Sequence, residues 1–120
     1  MAELWQGSVV FFGASSLDDV HAFYHGCLEL PLYKDQGLCR IYEVPGGGML
    51  GFCSHLAVQY EEKSPIITLL TDDVDGLYER VLEYGYRPET EPKVYSKFNI
   101  YHFFLKDPSG YTVEIQTFLD

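Results

Sequence analysis

Apolar residues along this chain fall into short β-type runs interrupted by two stretches at helical spacing. Ser8-Val9-Val10-Phe11-Phe12 is a β-prone run. Ser15-Ser16 then offers an N-cap, and Leu17, Val20, Phe23 or Tyr24, and Cys27 or Leu28 recur every three or four residues. That pattern predicts one amphipathic helix near Ser16–Gly26, with Asp18 and Asp19 in its first turn, where the helix dipole favours negative charge. Pro31 bars its continuation. Three strands should follow: Leu32 to Lys34, Leu38 to Val44 and Met49 to Cys53, divided by Asp35-Gln36-Gly37 and by Pro45-Gly46-Gly47-Gly48. The glycine run follows no strand-to-helix pattern that would hold a phosphate, and reads as a hairpin turn.

The order then repeats. Pro65-Ile66-Ile67-Thr68-Leu69-Leu70 predicts a strand, and Thr71-Asp72-Asp73 caps a helix near Asp73–Tyr84 that stops at Gly85. A strand near Tyr86-Arg87, a polar loop, a strand from Phe98 to Leu105, a tight turn at Asp107-Pro108-Ser109-Gly110 and a closing strand from Tyr111 to Phe118 complete it. Ile66 lies 57 positions after Val9, whereas Tyr111-Thr112-Val113-Glu114 matches Gly48-Met49-Leu50-Gly51 at an offset of 63. The second half has thus gained residues, assigned to the loop from Pro88 to Lys97. The chain divides into module one at 8–55, an exposed connector at 56–64 and module two at 65–119.

Composition narrows the function classes. In 120 residues, 47% are hydrophobic and 16% aromatic, enough for a packed core and unlike a disordered segment. No run reaches the roughly 18 apolar residues of a membrane span. Met1-Ala2-Glu3-Leu4-Trp5 lacks the basic, apolar start of a secretory signal. A net charge of −10 disfavours nucleic acid and anionic membrane surfaces and suits cationic or neutral ligands. Cys27, Cys39 and Cys53 are odd in number and widely spaced, with no C-x-x-C pair, so reduced, buried thiols in a cytoplasmic protein are expected rather than a disulfide framework.

The carriers of a family resemblance are Leu17-Asp18 through Phe23-Tyr24 and Cys27-Leu28-Glu29-Leu30 in the first half. In the second they are Asp72-Asp73-Val74-Asp75-Gly76-Leu77-Tyr78-Glu79-Arg80, and Lys106-Asp107-Pro108-Ser109-Gly110-Tyr111 with Glu114. In these the chain resembles the vicinal-oxygen-chelate superfamily of glyoxalase I, bleomycin-resistance proteins and extradiol dioxygenases. The resemblance implies an α+β fold of two βαβββ modules. Each would be a half-barrel sheet with one helix on its convex face and a ligand cleft on the other. It also implies a homodimer, which would cover exposed edge strands.

Metal-dependent members take one ligand from the first strand and one from the last strand of each module. Those positions fall here on Val9, Gly51, Ile66 and Glu114, and only Glu114 can coordinate. No cofactor is therefore expected, and a divalent metal only at a relocated site. Cys53 and His55 form a possible displaced pair, since residues two apart on a strand share a face. His21 and His25 are spaced i, i+4 on a helix outside the cleft and read as a solvated pair. His102 is open to a structural, ligand-binding or acid–base role. Glu114 is open to three: a general base, a carboxylate hydrogen-bonded to tyrosine or backbone, or one facing a cationic ligand. The expected function is metal-free binding of a small apolar or cationic organic molecule, with Glu114, His102, Cys53 and His55 as candidate contacts. A glyoxalase-like lyase or isomerase, with a relocated metal or Glu114 as base, is the alternative.

Overall fold

The computed structural model describes residues 4–120. Met1 to Glu3, part of the run read above for a secretory signal, lie outside them. The chain forms two compact units that meet in sequence between Gln59 and Tyr60, inside the connector.

In the first unit β1 (Val9–Gly13) is followed by α1 (Leu17–His21), β2 (Leu32–Asp35), β3 (Cys39–Glu43) and β4 (Met49–Cys53). The Ser16 side chain accepts from the Asp19 N–H and so caps α1, as the sequence predicts. Beyond His21 the helix widens into a π-helical stretch, Ala22–Cys27, which buries Phe23, Tyr24 and Cys27. The strands are ordered β1-β4-β3-β2, with β1 parallel to β4 and the other pairs antiparallel. Tyr24 and Tyr42 pack around Phe52 on the helix-bearing face, all three fully buried. Positive φ at Gly46, Gly47 and Gly48 closes the β3–β4 hairpin.

The second unit repeats this: β5 (Ile66–Leu70), α2 (Val74–Glu83), β6 (Lys93–Tyr95), β7 (Ile100–Lys106) and β8 (Thr112–Phe118), in the order β5-β8-β7-β6. Here β5 runs parallel to β8. Val74 and Val81 of α2 are buried, and Tyr78 meets Phe103 edge-on. The Asp107 carboxylate accepts from the Ser109 and Tyr111 N–H groups, which fixes the turn into β8.

Two expectations need correction. The strand before β7 lies at Lys93–Tyr95, within the segment read as the gained loop, and not at Tyr86-Arg87. Pro88 and Pro92 cannot donate to a ladder, whereas Val94-Tyr95 is β-prone and pairs with Tyr101 and Ile100. Nor are all three cysteines unpaired. Cys39 and Cys53 form a disulfide, and Cys27 lies outside it, buried as expected. The pair was hidden by its separation of 14 residues; strand pairing alone sets the two side by side.

Candidate functional site

Each sheet has a helix-bearing face and an open face, and strand alternation decides which residues reach the latter. In module two Phe103 and Leu105 point to the helix side, so His102 and Phe104 lie on the open face. Their ladder partners there are Gln116 and Glu114, and Thr68 is the partner of Glu114 on the far side. Three adjacent strands thus deliver one polar cluster.

Glu114 is its centre. The Thr68 hydroxyl donates to Oε1 at 2.8 Å. His102 Nδ1–H donates to Oε2 at 2.6 Å. The Gln116 amide, oriented with its NH₂ toward Glu114, donates to the same carboxylate at 2.8 Å and 3.2 Å. Glu114 and His102 are only 8% and 5% exposed, so these bonds replace the hydration that a buried carboxylate loses. The tyrosine or backbone partner envisaged for Glu114 is instead a histidine and a threonine from the two neighbouring strands and a glutamine two residues along its own.

With Nδ1 held by Glu114, Nε2 is the His102 nitrogen left to a ligand, and it has no partner among the described residues. The imidazole lies between aromatic rings: Tyr95 stacks parallel at 5.9 Å between centroids, and Phe104 meets it at 5.0 Å and 63°. Lys63 Nζ sits 4.1 Å from the Phe104 centroid. Ile66, Leu70 and Phe118 leave exposed apolar surface on the same open face.

Module one places different chemistry at the equivalent positions. Phe11 stands where Thr68 stands, and Gly51 where Glu114 stands. A Cβ on Gly51 would come within 2.5 Å of the Phe11 ring, so the glycine is filled space rather than a vacant ligand position. Val9 and Ile66 offer no lone pair, and the Glu114 oxygens are committed to neighbouring donors. The metal site implied by the resemblance therefore does not fit these residues.

The other candidates are distributed differently. His55 lies in the turn after β4, yet its Nδ1 is 3.9 Å from Cys39 Sγ. Cys39, Cys53 and His55 keep their ligand atoms within 4.8 Å of one another. The sequence reading held Cys53 and His55 but missed Cys39. A repeat comparison could have found it, because Cys39 and Cys53 occupy the positions of His102 and Gln116. His21 and His25 are stacked, as their spacing implies, but are not simply solvated. His21 Nδ1 is hydrogen-bonded to the Tyr42 hydroxyl at 2.9 Å, and His25 Nδ1–H donates to the Leu30 carbonyl.

Residues 8–115 match the Glyoxalase/Bleomycin resistance protein/Dioxygenase superfamily. A glyoxalase/bleomycin resistance protein/dioxygenase from Alicyclobacillus acidocaldarius superposes with a TM-score of 0.78 at 17% identity, covering all of this chain and 96% of that one. A similarly described protein from Nocardioides gives 0.73 at 18% identity over 100% and 87% of the two chains. Lactoylglutathione lyase from Agrobacterium tumefaciens gives 0.71 at 19% identity, covering 92% and 91%. These likenesses establish the fold. No curated protein matches the chain.

Proposed function

Because the chain belongs to the glyoxalase/bleomycin resistance protein/dioxygenase superfamily, we propose that it uses this fold, without the family's metal, to bind a small organic molecule on the open face of module two. One observation carries the reading: Glu114, the one usual ligand position with a coordinating side chain, is bound by Thr68 and His102. A carboxylate so held supports an imidazole rather than an ion. His102 Nε2 is the polar contact, Tyr95 and Phe104 are the flanking aromatic surfaces, and Ile66 and Leu70 supply apolar area. That set favours a planar, apolar ligand with a hydrogen-bond donor or a positive charge, and the net charge of −10 draws cations toward it. A cytoplasmic homodimer is the form in which we propose it works.

The test is a thermal-shift screen of planar amines against neutral and anionic isosteres, followed by calorimetry on the best binder. His102→Ala should weaken binding about tenfold or more, and Glu114→Gln by a smaller factor because it disturbs only the support. Equal affinity of wild type and His102→Ala for every binder would reject the site.

The His102–Glu114 bond also favours a second reading, proton transfer. A histidine held through Nδ1 by a carboxylate is a general acid or base at Nε2. The base would then be His102, not Glu114. Deuterium exchange from solvent into a bound carbon acid, lost in His102→Ala, would establish it; a bound ligand that exchanges no proton would reject it.

A further inference from the structure

The open face of module one carries a second cluster, chemically unlike the first. Cys39 and Cys53 are ladder partners on β3 and β4. The Ser54 N–H donates to the Leu38 carbonyl, which makes Cys39 and Cys53 a non-hydrogen-bonded pair, the kind whose side chains approach most closely. Their Cα atoms are 4.1 Å apart. Cys53 is 2% exposed and Cys39 9%, while His55 is exposed in the following turn. Tight turning after β4 brings the imidazole back over the pair, with Nδ1 at 3.9 Å from Cys39 Sγ.

We propose that the reduced protein binds one thiophilic d¹⁰ cation, zinc above all, through Cys39 Sγ, Cys53 Sγ and His55 Nδ1. Tetrahedral zinc with thiolate and imidazole ligands holds its donor atoms about 3.4–3.8 Å apart. The three atoms lie within 4.8 Å of one another, so side-chain rotation is enough and the strands need not move. Two sulfurs and one nitrogen select zinc or cuprous ion over magnesium or calcium. Both thiols lose their protons as they ligate, and the two thiolates neutralise a dication. Three protein ligands leave the fourth position to water or to a small anionic or thiol ligand. In the disulfide the same sulfurs have no thiolate to offer, so oxidised and metal-bound forms exclude one another. A cytoplasmic setting would favour the dithiol. The site is independent of the His102–Glu114 cluster, and either can fail without the other.

Cobalt(II) titration of the full chain decides the matter. A phosphine first cleaves the disulfide, releasing two thiols while water supplies the oxygen of the phosphine oxide. The reduced chain should then take up one cobalt with a thiolate-to-cobalt charge-transfer band, and zinc should displace it. Cys53→Ser should abolish the band. His55→Ala, an exposed change that leaves the fold intact, should weaken binding about tenfold or more. Cys27→Ser should change nothing, since that thiol is buried among the core residues of the other face. Absence of the band in fully reduced protein, or a band and affinity untouched by His55→Ala, would overturn the proposal whether or not the cysteine variant folds.

Discussion

The Phe11 ring covers the position where Gly51 would otherwise carry a side chain. At the equivalent place in module two, Thr68 donates to Glu114. One pair of lattice positions thus has an apolar solution and a polar one, and the identities of two side chains choose between them. His21 shows how burial acts on a single group. Desolvation, then the His25 and Arg40 charges, hold its pKa below the usual 6.5, against the opposing pull of Asp18 and Asp35. A depressed value means that the unfolded chain takes up the proton first. The contribution to stability is therefore complete above 6.5 and is lost as pH falls below it through the folded value. Thermal unfolding of wild type should fall more steeply than that of His21→Gln between about pH 7 and about pH 5. Parallel curves would show that the group contributes nothing.

At the scale of elements, α2 depends on its first turn. The Asp73 carboxylate accepts from the Gly76 N–H at 3.0 Å, and the absent Cβ of Gly76 gives that carboxylate its room. Asp73→Ala should cost about 1 kcal/mol, read as a fall of about 3–5 °C in Tm without change in the circular dichroism of the native state. A loss within error would mean that water replaces the cap. The Asp73 cap and the Val74–Val81 apolar spacing were legible in sequence because a helix is local: its signals lie within one turn of the residues they govern. Strand β6 was misplaced because a three-residue strand has no period to read. Its existence depends on β7 beside it.

For the whole molecule, the open faces leave Phe11, Ile66, Leu70 and Phe118 exposed, a large apolar area for so acidic a chain. We expect a homodimer, seen as twice the chain mass by light scattering across micromolar concentrations. Replacing Phe11 and Leu70 by serine should shift it toward monomer; a monomeric wild type would remove the dimer from the proposed function.

The fold was written in the sequence to a large extent. The offset of 57 between β1 and β5 and between the helix starts, widening to 63 between β4 and β8, states two copies of one unit before any coordinate is known. Alternation and caps depend only on neighbours in the chain, and the Asp107 turn with Glu114 behind it marked the family. The tertiary structure decided which side chains meet. Glu114 was visible as a lone carboxylate, but Thr68 is 46 residues away and His102 is 12. Cys39 and Cys53 read as separate thiols until β3 and β4 were set in register. Strand pairing brings distant residues within bonding distance, and a shift of one residue would turn each of these side chains to the opposite face. Composition and periodicity are insensitive to that register, and the chemistry of both clusters depends on it.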